Sequence, residues 1–438
     1  MVNDVTMIEA GPMPDYREID LASEQGLALL RSAADRYGET IVQAAGIASR
    51  LFLLRSPWAP GLRFVGGQTK LEGSDDDGNP FETLSLSGTG ETLEEALVSC
   101  IGEGIERRAQ FERSGDVRAR AALPELRDRV MPSLVPLIER QLANTPTGDA
   151  ALEWIDGYML EPGGEKHVGS PVLLPADWSL RRSPTRVRLR PPTMLGTGVA
   201  AGPDWDWAAS RALLELVERD AAGLWWIGGC RGRPVALDDP SLPALVRLLG
   251  TLRQDTRARR TWLLDISTDI GLPVIAALSC SDNGRGLACG LASRTSLMAA
   301  ARAAVLELCQ MELAILLAQA RLAERGEASL TVADRQCLAR ATELDANSCE
   351  LLHPLGAPGL YDEPTDQSQL PAIARMLMQA GVEAALVDLT RPQNDIQVVR
   401  AVAPALQPLP SDIDTPRLRV AIADTGGGAR HTGGIPLL

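Results

Sequence analysis

Twice along the 438 residues a Gly-Thr-Gly triplet leads into a helix-forming stretch that carries Glu-x-x-Glu-Arg. The first copy runs from Gly88-Thr89-Gly90 to Glu103, Glu106 and Arg107, and the second from Gly196-Thr197-Gly198 to Glu215, Glu218 and Arg219. From first Gly to first Glu the gap is 15 residues in one copy (103 from 88) and 19 in the other (215 from 196). A looser third copy, Glu307-Leu308-Cys309-Gln310-Met311, has Gln and Met where the others end in Glu-Arg. Copies about 100 residues apart are too widely spaced for a solenoid. They read as an internally duplicated strand-helix unit that gathers equivalent helices around one site.

Helix geometry says what these copies offer. Leu97, Ile101 and Ile105 form an apolar stripe at i, i+4, i+8, which leaves Glu103 and Glu106 side by side on the other flank. Leu213 and Val217 do the same for Glu215 and Glu218. Taken singly, each pair reads as a solvated face with an i, i+4 salt bridge to Arg107 or Arg219. Two matched copies favour convergence. Converging carboxylates repel by about 4 kcal/mol at 4 Å and an effective dielectric near 20, so they need a cation. The three histidines, His167, His353 and His431, lie far from the pairs, which disfavours zinc and a di-iron centre. All-oxygen ligation points to Mg²⁺ completed by phosphate oxygens, with the neighbouring arginines on those phosphates. Neither a Walker loop nor a G-x-G-x-x-G turn is present.

Mixed α/β (α+β) structure is expected from the alternation of helical and strand-like patterns. Helical periodicity spans Gly26–Leu54, a Gly/Asp-rich turn covers Gly73–Gly78, and the Thr92-x-x-Glu95 box starts a helix. Long helices follow Asp206 and span Ala299–Ala323, with a shorter one at Pro371–Ala380. Strands are expected at Trp262–Ile266, Val274–Leu278, Ala384–Leu389 and Gln397–Val402, and the Gly-rich tail from Asp424 is expected to be ordered by contact. A net charge of −14 argues against nucleic acid as a partner. Seven scattered cysteines without a CxxC pair point to a reduced, cytoplasmic setting. The N-terminus has no h-region and no unbroken apolar run approaches membrane length. Arg181, Arg182, Arg186, Arg188 and Arg190 form a basic cluster, read as a solvated loop or as a contact for phosphate or an acidic leader peptide. Trp205, Trp207, Trp225 and Trp226 are read chiefly as packing residues.

These motifs carry a family resemblance. Ser99-Cys100-Ile101-Gly102-Glu103-Gly104-Ile105-Glu106-Arg107 resembles the first ATP/Mg signature of the YcaO family. Ala200-Ala201-Gly202 with Leu214-Glu215-Leu216-Val217-Glu218-Arg219-Asp220-Ala221 resembles the second, and Gly290 with Leu306-Glu307-Leu308-Cys309-Gln310 the third. The resemblance implies a YcaO-type ATP-binding fold, with signatures in 83–110, 196–226 and 286–315. Residues 1–80 would then be an N-terminal segment packed on a catalytic domain of residues 81–438. It implies that Glu103, Glu106, Glu215 and Glu218 bind Mg²⁺ and nucleotide, that Arg219 contacts phosphate, and that Gln310 lines the same site.

The block from Asp388-Leu389-Thr390 through Val398 to Pro408, within residues 384–438, is similar to that of azoline-forming cyclodehydratases. The implied reaction makes thiazolines or oxazolines from Cys, Ser or Thr of a ribosomal precursor peptide, by phosphorylating the backbone amide oxygen with ATP. Thioamide or amidine formation and a non-catalytic leader-binding scaffold are the alternatives. The implied partners are an E1-like, leader-binding protein and a dehydrogenase, with homodimerisation inside a complex. No protein nucleophile is required. The chain departs from the family in its tail, which ends Pro436-Leu437-Leu438 rather than in Pro-x-Pro-x-Pro, yet Pro436 and Leu438 are candidate tail contributors to catalysis. Where the family often has Asn and Glu after the second Ala-Gly, Pro203 and Trp207 stand here with Asp206 adjacent, and Thr89 stands where a lysine is common.

Overall fold

Each glutamate-bearing helix begins where the sequence supplies a side-chain oxygen to cap it. In the computed structural model, Thr92, Asp204 and Ser296 accept hydrogen bonds from the backbone N–H three residues on, opening helices Leu93–Ala109, Trp205–Trp226 and Leu297–Arg325. The structure describes residues 15–70, 83–143, 151–162, 169–235, 243–254, 256, 259–359, 369–392, 395–410 and 412–438. The turn expected at Gly73–Gly78 lies outside them.

The strands form three sheets, each feeding one of these helices. β1 (Asp15–Ile19), β2 (Arg50–Arg55), β3 (Arg63–Lys70) and β4 (Thr83–Gly90) make an antiparallel sheet in that order, and the first helix packs on β4. The second sheet holds β5 (Ala119–Ala121), β6 (Leu152–Met159), β7 (Pro171–Pro175), β8 (Val199–Gly202), β13 (Ala385–Asp388) and β14 (Gln397–Val402). Its order is β5-β6-β13-β14-β8, with β7 also on β6, and β8 leads into the second helix. β9 (Arg233–Pro234), β10 (Arg260–Asp265), β11 (Val274–Cys280) and β12 (Ala288–Ser293) complete the third, in order β12-β11-β10-β9, with the third helix packed on β12 and β11.

The expected strands and helices at 206–226, 260–280, 299–323, 371–380, 385–388 and 397–402 are present within a residue or a few. The long N-terminal periodicity is not one helix. Gly38, at φ 91°, ends the helix Glu24–Tyr37, and residues 50–55 pair with β3 as a strand. Because β4 pairs with β3, the first sheet crosses residue 80 and joins the N-terminal segment to the first signature.

The two Gly-Thr-Gly triplets have different jobs. Gly88 lies in β4, where a Cβ would stand 2.2 Å from Ala96 O and 2.3 Å from Cys100 N, so its bareness lets the helix backbone touch the strand. Gly290 does the same on β12 beneath Ala304 and Leu308. Gly198, by contrast, sits in a turn at φ 73°, a left-handed conformation that favours glycine.

The third helix is built almost wholly into the core. By length and composition it is apolar enough to cross a membrane, but 56% of its most apolar window is buried inside the protein. It also carries Glu312, fully buried. Arg253 Nη1 and Nη2 donate to the two Glu312 oxygens at 2.6 and 2.8 Å, and Arg259 Nε donates at 3.0 Å. Arg253 also donates to Trp58 O, and the Arg259 guanidinium lies 4.5 Å from the Trp58 ring centroid. One carboxylate thus ties the helix Pro243–Arg253, the third helix and the N-terminal segment together. Removing one partner of such a buried set leaves uncompensated charge and costs about 3–5 kcal/mol. Glu312→Ala is therefore expected to lower the thermal unfolding midpoint by several degrees and Glu312→Gln by less; equal midpoints for wild type and E312A would refute the tie.

Candidate functional site

The three first-position glutamates occupy one structural register. Glu103, Glu215 and Glu307 each stand eleven residues after their N-cap (103 from 92, 215 from 204, 307 from 296). Each accepts a hydrogen bond from the strand or turn beside its own helix. Ser87 N–H donates to Glu103 Oε2 at 2.5 Å, Gly198 N–H to Glu215 Oε2 at 3.0 Å, and Leu291 N–H to Glu307 Oε2 at 2.9 Å. A backbone donor in a strand, or in the turn that opens one, thus aims each first-position carboxylate.

The second-position residues join the three units. Glu106 lies under the influence of Glu215 from the second helix, and Glu218 under that of Glu307 from the third. The Gln310 amide donates to Ser87 Oγ at 3.2 Å, and that hydroxyl donates to Glu103 at 3.1 Å, which returns the circuit to the first helix. All six of Glu103, Glu106, Glu215, Glu218, Arg219 and Gln310 therefore meet in one place. The pairs do not form a solvated flank, since Glu218 is buried, yet the i, i+4 bridges exist as well: Arg107 to Glu103 at 2.6 Å and Arg219 to Glu215 at 3.4 Å.

Crowding of like charge out of water raises carboxyl pKa values. Burial, then Glu215 and Glu103, pushes Glu106 well above the ordinary range. Burial, with Glu307 and Glu215, pushes Glu218 up to about 8, against the pull of Arg219. Glu307 is raised by burial too. Around them stand buried arginines whose charge burial disfavours. Burial lowers Arg211 to about 9, with Arg294 adding to the shift, and lowers Arg400 to about 10, with Arg181 adding.

The donor set fits Mg²⁺ and a polyphosphate. Glu106 has no hydrogen bond or ion pair among the described residues, while Arg219 Nε is buried without a partner. One is an open ligand for a cation and the other an open donor for an anion. Among the described residues no three His, Cys, Asp or Glu side chains form a ready cage for a metal. That suits Mg²⁺, which keeps several waters and takes one or two carboxylates plus substrate phosphates.

Ser87, Arg211, Arg294 and Arg400 escaped the sequence reading, while Glu307 and Arg181 were placed in the third copy and the basic cluster without being counted among the site residues. The register counted from the helix caps was the signal for Glu307, and Arg211 precedes Glu215 by one helical turn. The basic cluster divides: Arg186, Arg188 and Arg190 are exposed, as a solvated loop would have them, while Arg181 and Arg182 turn inward. Arg182 is buried in ion pairs to Glu112 at 3.0 Å, Asp177 at 2.5 Å and Glu153, and Arg186 bridges Glu112 and Glu153. Only Arg181 turns toward the site. Trp205, Trp225 and Trp226 are buried as expected, whereas Trp207 is 44% exposed.

The tail docks nearby. Trp226 Nε1 donates to Ile435 O at 2.7 Å, and buried Arg340 donates to Leu437 O at 2.5 Å and Pro436 O at 3.3 Å. Leu437 is buried and Leu438 packs against the core, while the Pro436 side chain is exposed. Cys289 lies between Arg340 and the Glu218–Glu307 pair, under the influence of all three.

Solved structures share this fold. A heterocyclase in complex with substrate and cofactor is 23% identical with a TM-score of 0.65, covering 86% of this chain and 52% of its own. This chain thus spans about half the length of that protein. YcaO from Methanopyrus kandleri bound with AMPPCP and Mg²⁺ is 19% identical with a TM-score of 0.56, covering 87% of this chain and 90% of its own. A chain of the E. coli microcin synthetase McbBCD complex with pro-MccB17 bound is 16% identical with a TM-score of 0.59, covering 82% and 88%. No curated protein matches the sequence. A family model described as YcaO cyclodehydratase, ATP- and Mg²⁺-binding, matches residues 87–407, most of the chain. The chain belongs to the YcaO family of ATP- and Mg²⁺-binding proteins.

Proposed function

We propose that this protein is an ATP-dependent cyclodehydratase that closes thiazoline or oxazoline rings in a ribosomally made precursor peptide. The observation that carries the reading is the closed circuit of Glu103, Glu106, Glu215, Glu218, Glu307 and Gln310, with buried arginines beside it. Buried carboxylates of this kind weaken the free protein, so a role that uses them is favoured over a scaffold that does not.

In this reading Glu106 and Glu218 hold Mg²⁺ with the nucleotide. Glu103 and Glu215, each bonded to a backbone N–H, set the position of the helices, and Arg219 and Arg211 pair with phosphate oxygens. The peptide supplies the nucleophile. A Cys thiol, or a Ser or Thr hydroxyl, adds to the preceding amide carbon and gives up its proton. The resulting oxyanion takes the γ-phosphoryl group, releasing ADP. Loss of the amide N–H proton and of phosphate then breaks the C–O bond and leaves the C=N of the ring. Fixed cations at the developing charge lower the barrier for such transfers. A leader-binding, E1-like partner is expected to deliver the peptide. The bound-substrate heterocyclase, about half of whose length this chain spans, and the microcin synthetase complex motivate that expectation.

Thioamide formation uses the same activated amide. Peptide mass separates the two. With precursor peptide, partner and Mg²⁺–ATP, the expected product has lost one water per ADP released, whereas exchange of oxygen for sulfur would move the assignment to thioamidation. Glu106→Gln is expected to cut peptide-dependent ADP release by about 100-fold or more. Unchanged turnover in that variant would remove Glu106 from the site.

The carboxylates also set a pH signature. With a folded pKa of about 8 against an ordinary 4.5, Glu218 keeps its proton in the folded, metal-free chain where the unfolded chain has lost it. The folded state binds more protons in that window, so this group's contribution to stability falls as pH rises from 4.5 to about 8. Glu218→Gln should raise the metal-free unfolding midpoint at pH 8 by a few degrees and flatten its fall with pH. An unaltered pH slope would overturn the assignment.

A further inference from the structure

The second helix carries more than its glutamates on the flank that faces the site. Trp207, Arg211, Glu215 and Glu218 follow one another at i, i+4, i+8 and i+11, a single stripe along the helix. Trp207 holds the outer end, 44% exposed, while the glutamates hold the inner end. Between them the Arg211 guanidinium carbon lies 5.2 Å from the Trp207 ring centroid and within electrostatic reach of Glu218, Glu215 and Glu106.

The indole is held in place. A Cβ on Gly202 of β8 would stand 2.4 Å from Trp207 Cε3, so the ring lies against bare backbone on one side. Arg211 steadies it from the next turn, and the remainder of its surface is open to water. The corresponding positions of the other two site helices, three residues after the N-cap, are Glu95 and Ala299. Glu95 is tied to Glu91 N–H and Arg302, and Ala299 has no ring, so of the three helices only this one ends in an aromatic face.

The order along the stripe is aromatic surface, guanidinium, carboxylates. Eight residues at 1.5 Å rise separate Trp207 from Glu215 by about 12 Å. That is the scale of a nucleoside triphosphate from base to terminal phosphate, whose own order is base, phosphates, metal. We infer that Trp207 is the wall on which the nucleotide base stacks, with Arg211 joining that wall to the phosphates. This rests on the Mg²⁺–nucleotide reading of the glutamate circuit and adds to it the seat of the base. Base–aromatic stacking strengthens nucleotide binding and Arg stacking adds to it.

The test compares two ligands that differ only in carrying the base and sugar. Calorimetric titration of the full-length protein with Mg²⁺–ATP and with Mg²⁺–tripolyphosphate is expected to show Trp207→Ala weakening ATP by about 10-fold, within the range of that stacking contribution, and leaving tripolyphosphate unchanged. Trp207→Phe, which keeps a π face, is expected to retain most of the ATP affinity. If the wild type binds both ligands and W207A binds ATP as well as the wild type does, the wall is wrong while the nucleotide site stands. Equal weakening toward both ligands would likewise overturn it, since a base seat cannot act on a ligand without a base. If the wild type binds neither, the nucleotide reading fails and takes this inference with it.

Discussion

A backbone N–H pointed at a carboxylate is the contact on which this molecule's site depends. Ser87, Gly198 and Leu291 each offer one, and Glu103, Glu215 and Glu307 each take it. Two of these N–H groups belong to sheet strands and the third to the turn that opens β8, so each glutamate inherits the rigidity of the backbone beside it. Cap, helix rise and strand together then fix the second-position residue one turn on, and three such units close into a circuit. A charge-assisted bond of this sort is stronger than a neutral one, and it is fully formed before any ligand arrives.

That preorganisation is bought with instability. Three helices direct acidic side chains into a place where water is scarce, and the raised pKa values of Glu106, Glu218 and Glu307 record the strain. Arginines stand close by, but burial depresses Arg211, Arg294 and Arg400 as well, so the two sets do not simply cancel. The contrast with Glu312 is instructive. There, two arginines and a serine satisfy one carboxylate completely, and the group has only to hold the structure together. Glu312, closed off by its arginines, and Glu307, held among the described residues by one backbone N–H, lie on the same helix five residues apart (312 from 307), and their surroundings separate support from chemistry.

Much of this was legible in the sequence, and the failures have physical causes. Glu-x-x-Glu-Arg stood out because helix periodicity places both carboxylates on one flank, and Thr92 announced its helix by capping chemistry. Aligning copies on Gly-Thr-Gly misled, because Gly88 is needed for contact and Gly198 for a positive φ; the same residue answered two different demands. Glu307 was passed over since its copy lacks the final Glu-Arg, although its distance from the cap matches. The arginine cluster deceived in another way. Five cations in ten residues look like a surface, yet Glu112, Glu153 and Asp177 come to Arg182 from distant sequence, and long-range ion pairs leave no local pattern. Strand β2 was hidden inside a helical period because its partner β3, not its own residues, decides its state.

The ladder between β3 and β4 has a mechanical side. β4 is the edge of its sheet, with β3 as its one strand neighbour, and it carries Ser87, whose amide steers Glu103 and whose hydroxyl meets Gln310. Strand and glutamate are thus in series with the N-terminal segment, like a needle on the end of a lever. β1 and the helix after it stand at the opposite edge of the same sheet. A chain assembled this way cannot trade its N-terminal portion for another without retuning the position of its first carboxylate.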